Sequence, residues 1–112
     1  MAHRANGGDL YSGLIRLHIL HHAAEERIFG LGIMEELARH GYRISPGTLY
    51  PLLHALEKQG YLRGKDERGI RGARRTYQAT ARGQQALAAA KAKVWELFSE
   101  LFEPAEMKQG GT

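Results

Sequence analysis

The 112-residue sequence contains no cysteine. No disulfide framework, thiolate nucleophile or Cys-ligated zinc site is therefore available. Long apolar runs are missing too. The richest stretch near the start, Leu14 to Leu20, is broken by Arg16 and His18, so it reads as neither a signal-peptide core nor a membrane span. These absences suit a reducing, cytoplasmic setting with no membrane partner. No Gly-rich phosphate loop, metalloenzyme motif or recognisable acid–base pair of carboxylates is present, which argues against an enzyme and implies no cofactor. The length fits one domain whose core is marginal alone, so self-association is expected.

Positive charge is concentrated in one place. The whole chain carries a formal +4. Residues 58–82 hold Lys58, Arg63, Lys65, Arg68, Arg71, Arg74, Arg75 and Arg82 against Asp66 and Glu67, a local +6, while the other 87 residues sum to −2. A basic run can be a solvated loop, but it is also the footprint of a surface made for a polyanion. Its neighbours decide.

Apolar spacing predicts a first helix over about 9–25, capped by Asp9 or Ser12, with Leu10, Leu14, Leu17 and His21 on one face widened by Ile15 and Ile19. A second helix, about 30–40, carries Ile33, Met34 and Leu37 and stops at Gly41. Ser45-Pro46 is a helix start, a hydroxyl cap followed by a residue with no N–H to orphan. Leu49, Leu52, Leu53 and Leu56 then follow at helical spacing, Pro51 falls at the end of the first turn, and Gly60 closes the helix. Tyr61-Leu62-Arg63 reads as a short strand, residues 63–72 as a Gly-punctuated basic loop, and residues 74–79 as a returning strand. A last helix, about 80–103, is capped near Thr80 and ended by Pro104. The fold class is mainly α (α+β): a winged helix-turn-helix with a two-stranded wing and a C-terminal dimerisation helix. Residues 1–79 form the N-terminal helix and winged-helix region, and residues 80–112 the dimerisation helix and tail.

The run Ser45-Pro46-Gly47-Thr48-Leu49-Tyr50-Pro51-Leu52-Leu53-His54-Ala55-Leu56-Glu57 resembles the signature of PadR-type transcriptional regulators. Gly60-Tyr61-Leu62 continues it. Residues 74–83 are similar to the family's second wing strand and entry to the last helix, and Phe29-Gly30-Leu31-Gly32-Ile33 to its start of helix two. Leu31 replaces the usual aromatic, and Thr76 stands where an aromatic often precedes Tyr77. The resemblance covers about residues 10–103 and is that of the compact subgroup with a single helix after the wing. It implies a homodimeric winged-helix repressor whose last helix crosses to the partner subunit. Some compact members bind planar aromatic compounds between the dimer-forming helices.

Three groups of candidate residues follow. With the leucines turned inward, Ser45, Gly47, Thr48, Tyr50, Pro51, His54 and Lys58 are left to meet double-stranded DNA at a pseudo-palindromic operator, with Lys65, Arg68, Arg71, Arg74 and Arg75 of the wing on phosphates or a minor groove. Tyr77 is assigned to packing. In the last helix Leu87, Val94 and Leu101 make a heptad row, Ala90 and Leu97 a second, and Trp95, Phe98 and Phe102 an aromatic stripe. That apolar arc is wider than a two-helix seam, so Leu14, His18, Leu87, Val94, Trp95, Leu97, Phe98, Leu101 and Phe102 are expected at a homodimer interface that could hold a small-molecule effector. Third, His18, His21 and His22 have a spacing that can ligate zinc or nickel. No distal ligand motif accompanies them, so packing or exposure is the simpler expectation and no metal is assigned. Two alternatives stay open: a winged-helix interaction module binding protein or RNA, and a metal-responsive regulator using these histidines.

Overall fold

Helical periodicity and two Gly stops lead to a helix–helix–helix–hairpin–helix order, and the computed structural model has it. It describes residues 10–69 and 72–103; the Asp9 cap, the wing cation Arg71 and the Pro104 stop lie outside the described residues. The elements are α1 (Ser12–Glu25), β1 (Ile28–Phe29), α2 (Gly30–Arg39), α3 (Pro46–Lys58), β2 (Leu62–Gly69), β3 (Gly72–Ala79) and α4 (Ala81–Leu101). α2 and α3 form the helix-turn-helix pair, and β2 with β3 forms the wing.

α2 and α3 end in the same way. Gly41 takes φ +89°, and the N–H groups of Gly41 and Tyr42 donate to the carbonyls of Ala38 and Leu37. Gly60 takes φ +88°, and Gly60 and Tyr61 donate to Glu57 and Leu56. Both are Schellman turns, whose positive φ glycine adopts without steric cost. Thr80 caps α4 as expected: its Oγ1 accepts from the Gly83 N–H at 2.9 Å and donates to the Gly60 carbonyl at 2.6 Å. Ser12, by contrast, is the first residue of α1, whose N-cap is Tyr11. Ser45 is the N-cap of α3 with Pro46 following, but its hydroxyl lies 3.5 Å from Thr48 Oγ1 and makes no cap bond to the backbone. Pro51 is the sixth helical residue, deeper than the first turn. The bond it cannot donate belongs to the carbonyl of exposed Gly47, which water can reach.

The core gathers Ile15, Ile19, Leu20 and Ala23 of α1, Ile28, Ile33 and Leu37, Leu49, Leu53 and Leu56 of α3, Leu62 and Tyr77 of the wing, and Leu87 of α4. Within the apolar face of α1 the structure separates two rows: Ile15 and Ile19 are buried, whereas Leu10 and Leu14 are 77% and 44% exposed and Leu17 is half-buried against the core.

The sheet has the order β1-β3-β2, all antiparallel. The two-stranded wing is present, with β1 as an unforeseen third strand pairing Ile28 with Tyr77 and Phe29 with Thr76. The wing is also more regular than expected, its ladder running from Leu62↔Ala79 to Gly69↔Gly72 through most of what reads as loop. Its register sets Asp66 opposite Arg75 and Glu67 opposite Arg74. Asp66 and Arg75 use that register as an ion pair at 2.9 Å, a stabilising contact invisible when each strand is read alone, whereas Glu67 turns to Arg27 rather than to Arg74.

Candidate nucleic-acid interface

At about 100° per residue, Leu49, Leu53 and Leu56 share one face of α3, and Gly47, Pro51, His54 and Lys58 share the opposite one. The leucines are buried and all four opposing residues are exposed or half-buried. Ser45, Pro46 and Thr48 are exposed as well; Pro46 has no N–H and the Thr48 N–H donates to the Ser45 carbonyl at 3.0 Å, so the N–H of exposed Gly47 is the one the first turn of α3 leaves open to an anion. Tyr50 leans toward α2 and is 40% exposed. Its hydroxyl occupies the space that a Cβ on Gly30 would need, so the buried Gly30 is what lets this ring lie along the start of α2.

Antiparallel pairing splits the wing cations between two faces. Lys65 and Arg74 lie on the face shared with Thr76 and Phe29, and Arg68 and Arg75 on the face shared with Gly64 and Tyr77. Lys65, Arg68 and Arg74 join no ion pair among the described residues. The Arg74 guanidinium stacks on the Phe29 ring, 4.0 Å from its centroid, so the missed strand β1 is also what steadies this cation. Glu67 is held by Arg27 at 2.7 Å.

Arg75 differs from the other wing cations. Its guanidinium donates to Asp66 at 2.9 Å and to Glu57 of α3 at 2.8 Å, and those two carboxylates raise its already high pKa. Glu57 also accepts from the Gly64 N–H at 3.3 Å. A guanidinium with both edges occupied has little left for a phosphate. Its geometry is that of a clamp fixing the wing to α3, and Glu57 is the member of this clamp that sequence reasoning missed. Tyr77, 1% exposed, packs beneath it, as expected.

α1 and α4 bound an open apolar groove of about 540 Å³. Leu14, His18, Leu87, Val94 and Trp95 meet there, with Leu17, His21 and Lys91. Leu97, Phe98, Leu101 and Phe102 do not reach the groove; they continue along α4, 48–67% exposed, with the rings of Trp95 and Phe98 stacked at 5.4 Å. Of the three α1 histidines, His18 and His22 turn toward the end of α2, and His21 toward the groove and Glu25. No helix among the described residues is long and apolar enough to cross a membrane.

Comparison with known proteins places these features in company. Residues 19–89 match the family model described as the transcriptional regulator PadR-like family. The chain is 50% identical over 88 residues to the transcriptional regulator Rv3488 of Mycobacterium tuberculosis, spanning 78% of this chain and 81% of that protein. It superposes on a PadR family transcriptional regulator from Eggerthella lenta with a TM-score of 0.76 at 29% identity, covering 87% of this chain and 86% of the other. A PadR-like transcriptional regulator from Bacillus cereus gives 0.72 at 25% identity, covering 85% and 97%.

Proposed function

The chain belongs to the PadR-like family of transcriptional regulators, and from that premise we propose that it is a ligand-responsive homodimeric repressor that reads a pseudo-palindromic operator. A DNA-binding regulator of transcription, rather than an enzyme, is the activity of the family itself. The observation that carries the finer reading is the opposition of faces on α3. Its leucines anchor it in the core, while Gly47, Thr48, Pro51, His54 and Lys58 project outward beside an exposed helix N-terminus and a basic wing. In this reading the outward face enters a major groove. The Thr48 hydroxyl and the Gly47 N–H grip phosphate, Tyr50 and His54 meet base edges or backbone, and Lys65, Arg68, Arg71 and Arg74 follow the flanking phosphates or reach the minor groove. Arg75 holds the wing in position and makes no phosphate contact of its own.

Two copies would present two α3 helices about 34 Å apart, one turn of B-DNA. The apolar groove between α1 and α4 supports both remaining parts of the proposal. Its open side is bordered by exposed Leu14, Val94 and Trp95, which a partner subunit would cover, and a flat aromatic effector would fit between the covered walls. Such an effector can switch the protein only by binding the DNA-competent and incompetent arrangements unequally.

Footprinting the purified protein on the DNA flanking its own gene tests the reading. A protected pair of half-sites about one helical turn apart is expected. If the dimer engages about eight phosphates, affinity falls roughly 10³–10⁵-fold between about 50 and 200 mM salt. Uniform, sequence-indifferent protection would show the basic wing acting without base readout and would sink the operator.

A further inference from the structure

α1 places His18 and His22 four residues apart, one turn along a single face. A distal partner arrives from the next helix. His40 is the C-cap of α2, and the Schellman turn at Gly41 leaves its ring beside α1. The His18 and His40 ring centroids are 4.8 Å apart, and His18 and His22 stack at 6.3 Å. One donor nitrogen of each of the three rings lies within 4.8 Å of the others. Glu36, one turn before His40, completes the group. Its Oε1 takes Arg39 at 2.6 Å, and its Oε2 faces His40 Nε2 at 3.1 Å and His22 Nε2 at 3.6 Å.

We propose that His18, His22 and His40 form a binding site for a divalent transition-metal cation of the zinc–nickel class, with Glu36 as the carboxylate that orients two of the rings. Three neutral imidazoles on two elements are a nitrogen donor set suited to such borderline cations, and the absence of thiolates makes it a poor site for soft ones. A carboxylate that takes the N–H of a histidine leaves the other ring nitrogen free for a metal, the usual division of labour around such sites. The carbonyl ends of two helices also converge here, since His22 lies in the last turn of α1 and His40 caps α2; both favour a cation. Zinc–nitrogen bonds of about 2.0–2.1 Å put the donors of one tetrahedral site about 3.4 Å apart, so binding draws the rings together by roughly an ångström. His40 is 45% exposed and free to make that movement. The bound ion would clip α1 to the end of α2, immediately before the turn that leads into α3.

The test uses the full-length protein carrying no histidine tag, stripped with EDTA and titrated with ZnCl₂, with MgCl₂ as control. Competition against a chromogenic chelator should show one zinc per chain. At a zinc concentration of about a hundred times Kd the thermal midpoint should rise by of the order of 10 °C, with no response to magnesium. His22→Gln and His40→Gln, which keep a polar side chain and are checked for unchanged circular dichroism without metal, should each weaken zinc at least tenfold. Glu36→Gln should weaken it by about ten- to a hundredfold, the cost of a lost outer-shell partner. His21→Gln should leave it unchanged. Absence of stoichiometric zinc binding, or binding that survives His40→Gln but fails in His21→Gln, overturns the assignment; the second result would place the ion on the neighbouring His21, His22 and Glu25 group. None of these readouts involves DNA, so failure of the site and failure of the operator reading are separate results.

Discussion

At the scale of single residues, the wing is anchored where a phenol and a glycine are packed. Tyr77 sits 1% exposed beneath Arg75, and burial raises its pKa above the ordinary phenol value, against the lowering effect of Arg75. A group whose folded pKa is raised contributes stability that is complete below its unfolded value, about 10, and lost as pH rises through the folded value. Melting temperature should therefore drop on passing from about pH 9 to pH 11, and the drop should shrink in Tyr77→Phe; an equal drop in the variant would show that other groups set the alkaline limit. Gly83 is packed as closely: a Cβ there would overlap the carbonyl oxygen of Tyr61, so α4 can leave the wing at this angle only with glycine in place. Strand alternation makes Tyr77 legible as packing. The need for Gly83 is not legible, because it arises from a backbone twenty-two residues away.

At the scale of elements, the helix-turn-helix is legible because its signals are local. Gly41, Gly60 and Thr80 act where their own neighbours are, so their roles show in one dimension. The two-residue β1, the full length of the wing ladder and the division of α1 into a buried and an exposed row depend on what lies opposite, and periodicity alone does not reveal them. Arg75 belongs to this second kind. As a bare cation it looks like a DNA-binding residue; with Glu57 and Asp66 in place it joins α3 to the wing. The two roles separate in salt titrations. Lys65→Ala or Arg68→Ala should weaken operator binding and reduce the salt-dependence slope by about one for each phosphate no longer neutralised. Arg75→Met should weaken binding through a displaced wing while leaving the slope near that of the parent. A slope lowered as much as in Lys65→Ala would restore Arg75 to the phosphate-binding set.

At the scale of the whole molecule, the core is finished on one side only. Val94, Trp95, Leu97, Phe98 and Leu101 on α4 and its C-cap Phe102 are 43–68% exposed, and Leu10 and Tyr11 just before α1 and Leu14 within it are exposed as well. An apolar surface this continuous on a small domain marks an association face. The wide apolar arc of the last helix announces it in the sequence; that the start of α1 borders it follows from Leu10 and Leu14 standing clear of the core. If the proposed dimer forms through this face, Phe98→Glu should leave a monomer by light scattering without loss of helical signal. It should also cut operator affinity more than non-specific affinity, since only a dimer spans two half-sites. A variant that remains dimeric would move the interface elsewhere.

His18 stands in two places at once. Its ring borders the apolar groove shared with Leu87 and Trp95, and it also meets His22 and His40 on the other flank of α1. An imidazole can hold only one orientation at a time. An occupant of the groove that turns this ring, and a cation that draws it toward His40, therefore act on a common degree of freedom. Thermodynamic reciprocity then makes each alter the affinity of the other by the same factor. Were the proposed effector and the proposed cation both to bind, the rotation of this single ring would let this small fold weigh one chemical signal against the other.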